Sequence, residues 1–314
     1  MSDVVDASPQ QRPGAFRVWL LAARPATLPA AVAPVLVGLG AALAVGAPFR
    51  WDTALACLAV ALLLQIVANL SNDLADFERG ADTPDRTGPT RAAASGLLTP
   101  AALRRGIAVV VGAAAVVGLY LVTVGGPVLL VVGALAIVAA VAYTGGPWPY
   151  GYRGLGELFV FAFFGLVAVV GTAYLQAGRV EPLFVAAAVP MGALVTAILV
   201  VNNLRDIPTD RAADKRTLAV MLGERFAKAE YVGLLFIAAV VPVALAAGVL
   251  GTVVGPPVLL PLAAAPLALA PVRGVLATGG DRDRRLLNPV LRSTARLSLI
   301  AGVLFAVGLV LGGV

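Results

Sequence analysis

Long apolar runs recur along almost the whole chain and leave too little polar surface for folding in water. Hydrophobic residues make up 60% of the 314 residues, and charged residues only 13%. A helix needs about 20 apolar residues to cross the hydrocarbon core of a bilayer. Only helices and closed barrels satisfy their own backbone there. The pattern therefore predicts an all-α, polytopic membrane protein.

The runs that are long enough to cross a bilayer predict nine transmembrane helices. We expect residues 1–16 to form a cytoplasmic N-terminal tail and residues 17–314 to form one transmembrane domain around a central cavity. The predicted spans are 17–46, 52–71, 102–124, 127–144, 156–176, 183–203, 229–251, 254–272 and 292–312.

The positions of arginine and lysine predict how these spans are oriented. If the N-terminus lies in the cytoplasm, the outer segments contain only Arg50 and Arg179, and all other basic residues lie in inner segments. This asymmetry follows the positive-inside rule. We therefore expect a cell-membrane protein with its C-terminus outside. The same rule accounts for the net charge of +6, so no nucleic acid is expected as a partner.

Two acidic clusters follow apolar runs on the predicted cytoplasmic side. The first reads Asn72-Asp73-x-x-Asp76, and the second contains Asn203, Asp206 and Asp210. They fall at the starts of the predicted cytoplasmic loops 72–101 and 204–228. On a helix, carboxylates three or four residues apart share one face. By that spacing Asp214 belongs with Asp206 and Asp210.

The residue types in these clusters predict a magnesium site that binds a diphosphate. The chain has no histidine and a single cysteine, Cys57, so the available metal ligands are oxygens, which favour Mg²⁺. Crowded carboxylates beside a bilayer also need a cation to compensate their charge. Basic residues in the same segments can contact phosphate: Arg86, Arg91, Arg205, Lys215 and Arg216. An apolar cavity next to a diphosphate site favours an isoprenyl diphosphate as substrate.

A third segment, from Tyr143 to Glu157, lies between the clusters and contains several glycines and prolines. Turn formation alone would explain the glycines and prolines. The alternative is that Tyr143, Arg153 and Glu157 lie at the mouth of the site and hold or deprotonate an aromatic acceptor. The sequence leaves both interpretations open.

The motifs resemble those of the UbiA superfamily of intramembrane aromatic prenyltransferases. The segments that carry the resemblance occur in matching order over most of the chain. They are 24–30 (RPATLPA), 72–82 (NDLADFERGAD), 143–147 (YTGGP), 154–157 (GLGE) and 202–220 (NNLRDIPTDRAADKRTLAV). Within the superfamily they are most similar to the branch that prenylates 1,4-dihydroxy-2-naphthoate in menaquinone biosynthesis.

The resemblance implies a nine-helix bundle whose cavity has a cap on the cytoplasmic side, with Mg²⁺ as the cofactor. Asp73, Asp76, Asp206 and Asp210 would then hold Mg²⁺ and diphosphate, with Asn72 and Asn203 in support. Arg91 and Lys215 would contact the diphosphate, and Asp82 would replace the acidic residue that relatives often have where this chain has Gly80.

The expected reaction transfers the polyprenyl group of polyprenyl diphosphate to 1,4-dihydroxy-2-naphthoate, with membrane lipid around the protein. Two alternatives remain at this point. The acceptor could be 4-hydroxybenzoate or homogentisate, although segments 143–147 and 202–220 argue against this. A secondary transporter would also contain intramembrane polar groups, but its ionisable residues would be expected near the middle of the membrane.

Overall fold

The computed structural model describes residues 14–80, 88, 91–279 and 284–313. These residues form helices joined by turns, and the part of the chain that they cover contains no strand. The all-α prediction is therefore confirmed for the described chain. Asp82 and Arg86, together with most of the predicted N-terminal tail, lie outside the described residues.

The helices follow the predicted apolar runs closely. Their bounds are α1 Ala15–Ala23, α2 Pro29–Ala44, α3 Trp51–Glu78, α4 Pro100–Gly125, α5 Val128–Ala142, α6 Gly156–Ala177, α7 Pro182–Ala212, α8 Leu218–Leu222, α9 Glu224–Ala246, α10 Pro256–Ala277 and α11 Arg284–Gly312. Three of them include other helical forms: α6 is π-helical over Phe161–Val170, α10 begins with a 3-10 segment over Pro256–Ala264, and α11 begins with a 3-10 turn over Arg284–Leu286.

Seven of these helices are long and apolar enough to cross a membrane, and α1 with α2 makes an eighth candidate if the bent pair is one span. This range applies to the described residues. The remaining apolar helix, α5, has 15 residues, which extend about 22 Å at the helical rise per residue. That length is shorter than the hydrocarbon core of a typical bilayer, about 30 Å.

The first span is broken at the segment that joins α1 to α2. The two helices meet at an angle of 53°. Arg24 has a φ of +52° in the left-handed region, which is uncommon for a residue with a side chain. The hydroxyl of Thr27 donates to the carbonyl of Arg24 over 2.9 Å. Pro25 and Pro29 stand at the first positions of the two helical segments that follow.

Helix α7 lies at the centre of the bundle. Of its apolar window 72% is buried inside the protein, against at most 44% for any other qualifying helix. Small residues allow backbones to approach closely. A Cβ added to Gly165 of α6 would lie 2.8 Å from the Cα of Gly192 in α7. On the outer side, α4 and α5 expose apolar side chains such as Val116 and Val131, as expected for lipid-facing helices.

Helices α3 and α7 continue beyond their apolar runs and carry both acidic motifs on their last turns. The sequence placed these motifs in loops from residues 72 and 204, whereas the helices end at Glu78 and Ala212. Polar residues beyond the apolar run can continue a helix when their charged groups are paired. Leucine, alanine and glutamate also favour the helical state. Helix α3 stops before Gly80, whose φ of +67° suits a glycine after a helix C-terminus.

Candidate active site

A cavity of about 1120 Å³ lies between the helices, and its two regions differ in chemistry. Its body is lined by apolar side chains from α2 to α7. Its polar end is formed where α3, α7 and α11 reach the same side of the bundle, and the residues there are Asn72, Asp76, Arg91, Asn202, Arg205, Asp206, Asp210, Lys215, Asn288 and Arg292. The cavity therefore joins the two acidic motifs to an apolar chamber.

The first motif contributes Asn72 and Asp76, which are one helical turn apart on α3. Thr144 donates its hydroxyl to Asn72 Oδ1 over 2.7 Å. Asp76 Oδ2 accepts from Arg91 Nη2 at 2.5 Å, and Asp76 Oδ1 accepts from the Tyr152 hydroxyl at 3.0 Å. These contacts orient an amide oxygen and a carboxylate on the cavity wall.

Asp73 differs from Asp76 because it turns away from the cavity. Its side chain is buried, with 1% relative exposure. One carboxylate oxygen accepts from the backbone N–H of Ala92 over 2.9 Å, and the other accepts from that of Ala93 over 3.2 Å. Asp73 therefore holds the segment that begins with Arg91 against α3, although the sequence predicted it as a ligand beside Asp76.

The second motif contributes Asp206 and Asp210 on α7. Arg205 donates two hydrogen bonds of 2.7 Å to Asp206, one to each carboxylate oxygen. The same guanidinium donates to Asn202 at 2.7 Å and to Asn288 at 2.9 Å. Asp210 Oδ1 lies 3.4 Å from Lys215 Nζ, while its other oxygen is buried and accepts no hydrogen bond from any described residue.

Tyr152 connects the two motifs and was missed in the sequence analysis. Its hydroxyl donates to Asp76 of the first motif, and its ring centroid lies 5.4 Å from Lys215 Nζ of the second. Arg79 lies 5.2 Å from the same ring, within the range of a cation–π contact. Burial and the neighbouring Asp76 carboxylate raise the pKa of the Tyr152 hydroxyl, which therefore stays a donor. The only available signal was its place between the motifs in the 143–157 segment.

Lys215 interacts electrostatically with the carboxylates of both motifs. Burial lowers its pKa, but the charges of Asp210, Asp76 and Asp206 outweigh burial and raise the pKa above its ordinary value of 10.5. The ammonium group is therefore protonated at physiological pH.

The three predicted acceptor residues lie in different places. Tyr143 lines the cavity. Glu157 is buried outside the cavity lining and accepts from Asn203 Nδ2 over 2.8 Å. Arg153 is exposed, with its guanidinium 5.1 Å from the Trp148 ring. Asn203 therefore pairs with Glu157 and does not line the cavity.

Asp214 does not share the face of Asp206 and Asp210 as its spacing suggested. Helix α7 ends at Ala212, and Asp214 is exposed with a φ of +52°. Aspartate tolerates this left-handed conformation better than most residues. Asp214 therefore forms the turn that directs Lys215 back towards Asp210.

A second polar patch lines the cavity one turn from the first motif. Asn69 Nδ2 donates to the carbonyl of Ala23 and to Thr27 Oγ1, each over 2.9 Å, and Gln65 Nε2 donates to the same hydroxyl over 3.2 Å. Arg24 lines the cavity beside them. No sequence motif marked these residues, although polar side chains within an apolar run are a signal of function.

The polar end has the donor types that Mg²⁺ prefers, but it contains no tight carboxylate cluster. Among the described residues, no three acidic, histidine or cysteine side chains lie close enough together to hold a metal ion. Magnesium needs only one or two protein carboxylates, because water and phosphate oxygens fill its other positions. Asp210 has a buried carboxylate oxygen that is not hydrogen-bonded. The residues present therefore fit a magnesium ion that arrives with a diphosphate.

The chain matches a protein family and several known proteins over most of its length. The model of the UbiA prenyltransferase family matches residues 31–300. A 1,4-dihydroxy-2-naphthoate octaprenyltransferase of Mycobacterium tuberculosis is 46% identical over 297 residues, which cover 95% of this chain and 98% of that protein. The protein of the same name from Escherichia coli is 38% identical over 308 residues, which cover 96% and 98%.

Solved structures share the fold at low sequence identity. The apo structure of a UbiA homolog from Aeropyrum pernix has a TM-score of 0.64 and 16% identity, covering 90% of this chain and 97% of that chain. A UbiA homolog from Archaeoglobus fulgidus, bound to GPP and Mg²⁺, has a TM-score of 0.61 and 13% identity, covering 92% and 99%. The family match extends over most of the sequence and includes both acidic motifs. The chain therefore belongs to the UbiA prenyltransferase family.

Proposed function

We propose that this protein transfers the polyprenyl group of polyprenyl diphosphate to 1,4-dihydroxy-2-naphthoate, with loss of CO₂ and diphosphate, to give demethylmenaquinone. The observation that carries the proposal is the cavity in which both acidic motifs adjoin an apolar chamber. The length and identity of the match to the naphthoate octaprenyltransferases of M. tuberculosis and E. coli support the acceptor.

The polar end would bind the diphosphate group. Asp76, Asp206 and Asp210, with Asn72, would hold Mg²⁺, and the ion would supply positive charge to stabilise a departing diphosphate. Arg91, Arg205 and Lys215 already pair with these carboxylates, so they lie where phosphate oxygens would come. A UbiA homolog that binds GPP together with Mg²⁺ supports the combination.

Asp73 was also predicted as a metal ligand. For Asp73 we propose an indirect role, because its two oxygens are bonded to the backbone of Ala92 and Ala93. It would fix the segment that presents Arg91 to the site. Asp82 and Arg86 lie outside the described residues, and their roles as a metal ligand and a diphosphate contact stay predictions.

Aromatic side chains line the cavity next to the polar end and would face the prenyl cation as the carbon–oxygen bond breaks. Tyr143 and Tyr150 meet edge to face with centroids 5.4 Å apart, and Phe159 stacks on Tyr150 at 4.2 Å. The face of an aromatic ring attracts a cation. The cation would then form a carbon–carbon bond with the electron-rich ring of the acceptor, so the chain needs to supply no nucleophile.

The charge pattern supports a proposal for the orientation of the protein. We propose nine spans in the cell membrane, in which α5 completes the count, with the N-terminus and the active site cytoplasmic. The polar end would be capped by α8 and by the segments around Ala92 and Tyr152. Cysteines introduced at Gly126 and Trp148, before and after α5, should react with an impermeant thiol reagent from opposite sides of the membrane. Labelling of both from one side would refute a spanning α5.

The reaction is tested with purified protein in liposomes. The assay supplies a long-chain polyprenyl diphosphate, Mg²⁺ or EDTA, and either 1,4-dihydroxy-2-naphthoate or 4-hydroxybenzoate. We expect a prenylated product with the naphthoate alone, and none in EDTA. Transfer to 4-hydroxybenzoate alone would overturn the acceptor while keeping the chemistry, and absence of transfer to any aromatic acceptor would overturn the proposed function.

A further inference from the structure

Pro208 stands between the two carboxylates of the second motif and interrupts the hydrogen bonding of α7. In a regular helix the carbonyl of residue 204 accepts from the N–H of residue 208. Proline has no N–H, and its ring crowds the carbonyl four residues before it. Leu204 is fully buried, so its carbonyl needs a replacement donor within the protein.

Arg284, at the start of α11, supplies that donor. Its Nη1 donates to the carbonyl of Leu204 over 2.6 Å, and its Nη2 donates to Glu224 Oε2 over 2.8 Å. The two bonds use the planar fork of one guanidinium. One bond holds the interrupted turn of α7, and the other holds Glu224, the first residue of α9.

The same side of the bundle provides further support for this connection. Glu224 also accepts from Lys228, 2.8 Å away, and Lys228 donates to the carbonyls of Leu276 and Thr278 at the end of α10. One turn along α11 from Arg284, Asn288 accepts from Arg205. Arg284 and Asn288, one turn apart on α11, therefore contact Leu204 and Arg205 of α7. These are the two residues directly before Asp206.

We infer that Arg284 is a positioning residue that replaces the missing N–H of Pro208 and thereby sets the turn on which Asp206 and Asp210 are presented. It does not line the cavity, so it acts through the backbone of α7. The inference rests on the proposed function only in that the carboxylates are taken to serve prenyl transfer. The hydrogen bond that it concerns can be tested without turnover.

The decisive experiment is a double-mutant cycle with Arg284→Ala and Pro208→Ala. Alanine at 208 restores an N–H for the Leu204 carbonyl, so it should relieve the loss caused by removing Arg284. We expect Arg284→Ala to raise the amide exchange rate of residues 205–212 about tenfold, as for the loss of one charge-assisted hydrogen bond. Exchange in the double variant should return towards that of Pro208→Ala.

Kinetics give the second readout. In Arg284→Ala, we expect kcat to fall about tenfold and the Mg²⁺ concentration for half-maximal rate to rise. KM for the naphthoate should stay within about twofold, since Arg284 does not line the cavity. The double variant should be more active than Arg284→Ala alone. Arg225→Ala is the control, because Arg225 is an exposed arginine beside Glu224, and it should behave as the wild type.

Two results would overturn the inference. One is unchanged exchange over residues 205–212 in Arg284→Ala. The other concerns the double variant: its fold-changes in amide exchange rate and in kcat would equal the products of those in the two single variants. That result would mean that Arg284 and Pro208 act independently. If the wild-type protein transferred no prenyl group, the exchange measurements would still decide the role of Arg284, and only the proposed function would fail.

Discussion

Replacing Asp73 by asparagine should loosen the segment that carries Arg91 and leave the acidic wall of the cavity in place. Asp73 accepts one backbone N–H with each oxygen, from Ala92 and from Ala93. Asparagine keeps one acceptor and puts an NH₂ group where the other was, so one buried N–H loses its partner. A hydrogen bond to a charged group contributes about 1.5–3 kcal/mol, which corresponds to an increase of about 10- to 150-fold in the open population of the segment.

Hydrogen exchange followed by mass spectrometry measures this change directly. Peptides that cover residues 91–98 should exchange about 10- to 150-fold faster in Asp73→Asn than in the wild type. Turnover should fall, but less than in Asp76→Asn, whose side chain lines the cavity. Glu78→Gln is the control on the same helix, because Glu78 is exposed and pairs with Arg104. Equal exchange in the wild type and Asp73→Asn would refute the assignment of Asp73 as the anchor of this segment.

Three further predictions address the rest of the site and the bundle. Tyr152→Phe removes the hydroxyl that donates to Asp76 and should lower kcat about tenfold while the protein stays folded, measured by turnover and thermal unfolding. Lys215→Met should destabilise the protein across neutral pH, because the raised pKa of Lys215 makes its contribution complete below pH 10.5 and lost only as pH rises through the folded-state pKa. Gly40→Ala should lower the unfolding temperature, since its Cβ would lie 2.8 Å from the Cα of Ala306.

Each of these has an outcome that contradicts it. For Tyr152→Phe it is wild-type turnover. For Lys215 it is a stability difference between wild type and Lys215→Met that already shrinks between pH 7 and pH 9. For Gly40 the control is Gly112→Ala in α4, where an added Cβ meets no atom within 4 Å. Equal unfolding temperatures for the two glycine variants would mean that α2 and α11 do not pack as closely as described.

The positions of the helices could be predicted from the sequence because apolar runs of about 20 residues have one stable form in a bilayer. The ends of the helices could not be predicted in this way. Hydropathy falls at Asn72 and at Asn202, but α3 and α7 continue to Glu78 and Ala212. Charged residues with buried partners prolong a helix that the apolar pattern alone would end. The count of spans depends in the same way on α5, which is short for a bilayer.

The side chains that face the cavity were harder to predict than the motifs themselves. Spacing places Asp73 and Asp76 on one broad face of α3, but spacing does not show which of the two lines the cavity. The positions of Ala92 and Ala93, whose backbone N–H groups bond Asp73, decide it. Tyr152 joins the motifs through contacts with residues more than 60 positions away, and no local pattern records such a contact.

The central claim is that the two acidic motifs, from α3 and α7, form one diphosphate site. Binding of a non-ionising prenyl diphosphate analogue to purified protein, titrated with Mg²⁺, tests it most directly. We predict that Asp76→Asn and Asp210→Asn each abolish Mg²⁺-dependent binding, and that Asp52→Asn at the other end of α3 binds as the wild type does. Binding that survives in either of the first two variants would contradict a shared site.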